Sequence, residues 1–346
     1  MLRRALFASV GFAPFVILLH YVLDLDETVE FVLAAAALVP LAWLIGEATE
    51  HAAEHTGPGI GGFLNATFGN APELIIALLA VHEGLTEVVR GSLSGSVIGN
   101  LLLVLGFSLL AGGRGELDRG SSFISFGLIG VATLLFLIVA IPGWSGDPDR
   151  SSLAHLTIPV SLALLVVYVA ATWYSLRRHR LSHVASDEEV DAWSFRFSLA
   201  VLAAATVATA LVAEILVGSL EVFAHEAGLT DFFVAAVIVA IVGNAAEHGG
   251  AVLVAFRGKL KLAAEIALAS AAQVAVFLIP AVALLSLVIE PLALSFRQVE
   301  LAALAGALVF TALVLVNGQS SRLRGGLLIA CYGAVVVVFY SAGERF

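Results

Sequence analysis

The feature that most limits what this chain can become is a run of about 20 apolar residues that returns from one end to the other. Each run is long enough to cross a bilayer as a helix. A chain made of such runs has little left from which to build a water-soluble domain. Of 346 residues, 60% are hydrophobic and only 13% charged, about half the charge of an ordinary soluble domain. The pattern predicts an all-α polytopic membrane protein with eleven transmembrane helices. They fall near 4–23, 29–56, 60–83, 88–112, 120–141, 152–177, 194–226, 231–256, 260–289, 296–316 and 323–341. Gly57-Pro58 and the run from Gly112 to Gly115 act as stops. Residues 2–23 start like a signal peptide, but no small-residue cleavage site follows the apolar run, so they are expected to remain as a helix.

The 17 Lys and Arg residues test this count. With the N-terminus inside, thirteen fall on the inner side and four, Arg90, Arg150, Arg297 and Arg345, on the outer side. That asymmetry obeys the positive-inside rule and predicts a cytoplasmic N-terminus and an outside C-terminus. The expected location is a prokaryotic cell membrane, with lipid as a partner and a homo-oligomer compatible with the sequence. The net charge of -10 excludes nucleic acid as an expected partner. The lone Cys331 excludes an intramolecular disulfide and a cysteine metal cluster.

The longest polar connection, "RRHRLSHVASDEEVD" from Arg177 to Asp191, divides the chain. Residues 1–28 give one leading helix, 29–180 five spans, 181–193 an acidic cytoplasmic linker, and 194–346 five more spans. Five is odd, so the two halves must enter the membrane in opposite directions. "GNAPE" at 69–73 and "GNAAE" at 243–247 lie 174 residues apart, and the same offset carries Ser96 to Ser270. Two motifs with one offset indicate an inverted repeat. Secondary transporters with this architecture place their sites near the midplane, between the halves.

Asn70 and Glu73 are three residues apart and are expected on one helix face, as are Asn244 and Glu247. An ionised group at a helix centre costs on the order of 3 kcal/mol. No Lys or Arg is expected deep enough in a span to offset that, which leaves a bound cation or protons. The donors on offer are two carboxylates, two amides, the hydroxyls of Ser96 and Ser270, and backbone carbonyls freed at Gly69, Pro72 and Gly243. An all-oxygen set suits a hard cation such as Ca2+. The rival reading is interhelical polar glue. Without a cation, burial and mutual repulsion favour the protonated carboxyls. Ca2+ and two protons then compete for one pair of charges, and alternating access converts that competition into antiport. Na+ could compete in the same way.

"GNAPELIIALLA", "GSVIGNLLLVLG", "GNAAEHGGAVLVAF" and "IALASAAQVAVFLIP" resemble the calcium/proton exchangers of the cation/calcium antiporter superfamily, from about Leu38 to Pro280. The resemblance implies Ca2+ export driven by proton entry, with no cofactor and no enzymatic activity. It implies Glu73 and Glu247 as central ligands, assisted by Asn70, Asn244, Ser96, Ser270 and Gln273. Glutamate in both repeats, with His248 after the second, looks like the proton-coupled branch. Pro72 departs from the Thr or Val more usual there. A Na+/Ca2+ exchanger of the same superfamily is the alternative, and a cation channel a more distant one.

Glu47, Glu50 and Glu54 fall at i, i+3 and i+7 near the end of the second span, and Glu214 and Glu221 at i and i+7 near the end of the seventh. Both read as acidic stripes lining an inner and an outer vestibule, on helices that the resemblance makes gates. His51, Glu54 and His55 also match the H-x-x-E-H pattern of one zinc protease group, a rival that gives no reason for an inverted repeat. His248 points about 100° away from Glu247 around a helix and is a candidate proton relay.

Overall fold

Helices begin where a short polar side chain can satisfy the first free N–H groups. Asp26 accepts from the N–H of Thr28 at 3.0 Å and Asp118 from that of Ser121 at 3.0 Å. Thr230 accepts from Phe233 at 3.1 Å, and Ser194 and Ser321 cap in the same way. Apolar runs propagate from these starts. The computed structural model describes residues 9–56, 64, 67–179 and 193–343 and is helical almost throughout. In its first part run α1 (Phe12–Val22), α2 (Glu27–Glu54), α3 (Ala71–His82), α4 (Thr86–Gly112), α5 (Arg119–Gly143) and α6 (Ser151–His179). In its second part run α7 (Phe195–Gly218), α8 (Leu220–Ala227), α9 (Asp231–Gly243), α10 (Ala245–Phe256), α11 (Leu260–Val288), α12 (Gln298–Val314) and α13 (Arg322–Ser341). A two-residue antiparallel ladder, β1 (Gly115–Glu116) with β2 (Gln319–Ser320), joins two loops and adds to the all-α expectation.

Among the described residues seven helices, α2, α4, α5, α6, α7, α11 and α13, are long and apolar enough to cross a membrane. Taking α8 and α9 together, bent by 109° at their break, makes eight, and α1, α3 and α12 are shorter apolar helices. The Gly57-Pro58 stop and the acidic run 186–191 lie outside the described residues.

The offset of 174 extends from sequence to backbone. It carries the two ends of α3, Ala71 and His82, to the two ends of α10, Ala245 and Phe256. It carries the start of α4, Thr86, to the start of α11, Leu260. Both of these last helices widen to a π turn, Asn100–Val104 in one and Val274–Leu278 in the other, again 174 apart.

Two expectations about continuity need correction. The expected span 194–226 is interrupted at Ser219, where one helix ends and α8 begins. Ser219 lies between them with φ/ψ of −94°/0°, its hydroxyl donating to the carbonyl of Ile215 at 2.7 Å. The expected span 231–256 is broken at Asn244, between α9 and α10.

Burial ranks the helices. In α4, 83% of the apolar window is inside the protein and in α11 61%, against 22% in α13. The two helices with matched π turns, α4 and α11, therefore form the centre. A Cβ on Gly95 would stand 2.1 Å from the carbonyl oxygen of Ala236, so only glycine allows α4 to approach α9 this closely. Around this centre, α2 and α7 pack along each other, and α1 lies against both.

Candidate functional site

Asn70 and Asn244 are not inside helices, as their spacing to glutamate suggested. Each is the N-cap of a half-helix, with φ/ψ of −101°/17° and −90°/5°. Gly69 and Gly243 precede them, and the chain restarts one residue later as α3 or α10. Pro72 falls in the first turn of α3, where a missing N–H leaves no helical bond unmade. The departure from Thr or Val is thus compatible with the break. Glu73 and Glu247 then both lie in the first turn of a half-helix, where the positive end of the helix dipole favours a carboxylate. This local field offsets part of the burial cost that the sequence alone left unexplained.

The first glutamate lies against the second break: Glu73 packs on Gly243, four residues before Glu247. Glu73 is 7% exposed, and its Oε2 has no hydrogen-bond partner among the described residues. It packs against the other repeat, with Cγ 3.3 Å from where a Cβ on Gly243 would stand. Beside it is a small cavity lined by Glu73, Ser92, Ser96, Ala240 and Gly243. Glu247 is half-buried and accepts a hydrogen bond from the hydroxyl of Ser270. Asn244 donates from Nδ2 to Ser96 Oγ at 2.8 Å and to the carbonyl of Ala240 at 2.9 Å.

Asn100 was not among the sequence candidates. It is fully buried at the start of the π turn in α4 and donates from Nδ2 to Ser270 Oγ at 3.0 Å and Asn244 Oδ1 at 3.5 Å. Repeat logic could not find it, because the offset carries it to Val274. The available signal was the "GN" it shares with both motifs. Gln273 is half-buried one residue before the second π turn and forms no hydrogen bond in this network among the described residues. His248 adjoins Glu247 with Nε2 buried and, among the described residues, bonds to neither carboxylate.

The vestibule residues are arranged differently at the two ends. On α2, His51 is 5% exposed and stands between Glu47 and Glu54, at 3.6 Å from each. Its ring stacks on Trp193 at 4.7 Å, while His55 Nε2 meets the carbonyl oxygen of Trp193 at 2.8 Å. Glu50 is exposed beside this group. The zinc-protease pattern is spent on these contacts, and among the described residues no three His, Cys, Asp or Glu side chains gather to hold a metal ion. Glu214 and Glu221 are exposed, but the break at Ser219 separates them onto two helices, so their i, i+7 spacing does not make one stripe.

A cation also lies deeper than the sequence suggested. Arg90 is 0% exposed near the start of α4 and binds Asp149 at 2.6 Å and Glu87 at 2.7 Å. Glu87 also binds Arg297 at 2.5 Å, and Glu300 accepts from Ser94 Oγ at 2.7 Å. These charges satisfy one another, and among the described residues no ion pair reaches the two central glutamates.

The chain matches the sodium/calcium exchanger protein family over residues 27–177 and 197–341. The Ca2+/H+ antiporter ChaA of Bacillus subtilis (strain 168) is 37% identical over 325 residues, covering 91% of this chain and 92% of its own. A Ca2+/H+ antiporter of Synechocystis sp. is 35% identical over 358 residues, covering 95% of each. The solved structure of native YfkE superposes with a TM-score of 0.84 at 33% identity, over 97% of this chain and 99% of that one.

Proposed function

The chain belongs to the sodium/calcium exchanger protein family, and from that premise we infer that it is a Ca2+/H+ antiporter in which two glutamates take Ca2+ and protons in turn. It is an integral membrane transporter and not an enzyme. One observation carries the site assignment: two half-helices, 174 residues apart, each bring a glutamate in the first turn to one cluster of oxygens around Ser96, Asn244 and Ser270.

Glu73 and Glu247 are the exchanging ligands, with Asn70, Asn244, Ser96 and Ser270 around them, Gln273 at the edge and His248 adjoining the proton path. Oxygen-only ligands favour a hard divalent cation. A carboxylate pair buried without a cationic partner must hold either that cation or protons. Ca2+ and protons are therefore alternatives at one site. Export of Ca2+ against proton entry follows from a proton gradient directed inward.

We read the thirteen helices among the described residues as eleven crossings, pairing α7 with α8 and α9 with α10. Residues 29–180 and 194–346 are then two inverted five-helix repeats, with 1–28 a leading helix and 181–193 a linker. The matched backbone breaks and π turns support this reading. The positive-inside count supports an inner N-terminus and an outer C-terminus in a bacterial cell membrane. The long packing of α2 against α7 suits a pair that moves together over the core, with Glu47 and Glu54 at one mouth and Glu214 and Glu221 at the other.

Proteoliposomes loaded at acidic pH and diluted into alkaline buffer with radiolabelled Ca2+ test this. Uptake should follow the pH gradient without Na+ and disappear in Glu247→Gln. Uptake that requires a Na+ gradient would assign the sodium-coupled reaction instead.

A further inference from the structure

Three loops, those after α4, α10 and α12, meet on the face that the positive-inside count places inward. The ladder of β1 with β2 joins the first to the third. Beside it the N–H of Leu117 donates to the carbonyl of Gly318 at 2.9 Å, and the hydroxyl of Ser320 to that of Gly113 at 2.7 Å. Leu260 fixes the second loop against the first: a Cβ on Gly112 or Gly115 would stand 2.6 or 2.9 Å from its side chain. The joined loops carry exposed cations. The side chains of Arg114, Arg257, Lys259 and Arg322 make no hydrogen bond or ion pair among the described residues. Arg322 Nε lies 3.8 Å from where a Cβ on Gly113 would stand, one residue before Arg114, and Lys259 adjoins Leu260. The neighbouring carboxylates are Asp118, taken by Lys261 at 2.9 Å, Glu116 in the ladder and the half-buried Glu265. Phe256, 71% exposed, and Leu323, 74% exposed, flank the cations along the chain.

We propose that this platform binds the phosphate headgroup of an anionic phospholipid in the inner leaflet. A guanidinium presents paired donors that match phosphate oxygens, and Arg114 and Arg322 supply two of them from joined loops. Lys259 and Arg257 add to the positive field around them. Phe256 closes α10 and Leu323 opens α13, so each stands at the end of an apolar helix, where an apolar side chain meets the acyl boundary. A soluble anion would engage the charges alone, whereas a phospholipid engages the charges and these two side chains together. The ladder holds the loops in place before the lipid arrives, which lowers the ordering cost of binding. The choice of leaflet rests on the orientation read above, and the preference for anionic lipid does not.

Titrating phosphatidylglycerol into the purified full-length protein in neutral detergent, with native mass spectrometry counting bound lipid, gives Kd for the first lipid. Phosphatidylcholine of the same chain length and inorganic phosphate are the comparators. We expect phosphatidylglycerol to bind about tenfold or more tighter than phosphatidylcholine. A cation beside an anionic headgroup is worth about fivefold in affinity, so Arg114→Gln combined with Arg322→Gln should weaken phosphatidylglycerol about twentyfold. Arg257→Gln combined with Lys259→Gln should weaken it by a similar factor, and it carries the same test if the first pair does not assemble. Arg196→Gln removes an exposed arginine on α7, outside the three loops, and should change Kd less than about twofold. Equal binding of the two lipids, or the same loss in Arg196→Gln as in the platform variants, overturns the proposal. Displacement of phosphatidylglycerol by an equal concentration of inorganic phosphate would mark a free-anion site and overturn the lipid assignment.

Discussion

The half-helix α3 and the half-helix α10 begin and end at equivalent residues, yet they hold their glutamates in opposite ways. Glu73 is buried against the glycine of the other repeat, next to a cavity, with one oxygen unpartnered among the described residues. Glu247 is half-buried and tied through Ser270 to Asn100. A repeated backbone thus supplies two carboxylates at one place, and unmatched neighbours make them inequivalent. The same contrast recurs where the central helices start. The offset that relates α4 to α11 carries Glu87 to Lys261. Glu87 belongs to a buried network with Arg90, Asp149 and Arg297, whereas Lys261 makes an ion pair with Asp118 at 2.9 Å, its side chain 58% exposed.

The sharpest way to break the comparison is to neutralise each glutamate in turn. Glu73→Gln and Glu247→Gln should each abolish proton-driven Ca2+ uptake, because antiport needs both charges. Substantial exchange surviving in one of them would show that a single half-site suffices. Next in size is the buried network. Arg90→Ala leaves Glu87 with Arg297 and takes the guanidinium from the partly exposed Asp149, and should destabilise the protein by about 1–3 kcal/mol, against less than about 1 kcal/mol for Lys261→Ala at the exposed counterpart. Thermal midpoints of the two purified variants read this directly, and equal shifts would remove the contrast.

The paired serines sharpen the comparison at the site. Ser270 donates to a carboxylate, a bond worth ~2 kcal/mol, whereas Ser96 accepts from a neutral amide, worth ~1 kcal/mol. Ser270→Ala should therefore raise the Ca2+ KM several times more than Ser96→Ala, and the reverse order would reassign the stronger half-site to Glu73. The smallest effect is expected at Asp118. The N–H of Ser121, and then Lys261, hold its carboxyl down from 3.8 to about 2. Its folded value lies below its unfolded one, so its contribution is complete above 3.8 and fades as the pH falls through about 2. The difference in thermal midpoint between wild type and Asp118→Asn should be constant near neutrality and close in acid. A difference that grows on acidification would contradict the sign.

Much of this molecule was legible because its signals are local. Apolar runs of fixed length announce spanning helices, and the shared offset announces a repeat that the backbone follows down to its π turns. The Gly-Asn-x-x-Glu motif located both chain breaks, although spacing alone placed the asparagines inside a helix instead of at its cap. Reading Glu214 and Glu221 as one stripe failed because one helix ends at Gly218 and another begins at Leu220, which puts the two glutamates on separate helices.

What the sequence determined by itself is therefore the membrane-helical class, the doubled motif and the two carboxylates that the motif carries into the apolar interior. Tertiary structure alone decided which groups those carboxylates meet. Asn100 and Ser270 are 170 positions apart, and Arg297 and Glu87 are 210 apart. Hydrophobicity and helix breaking act over a few neighbouring residues and can be read along the chain. A buried hydrogen bond depends on atoms that only folding brings within 3 Å.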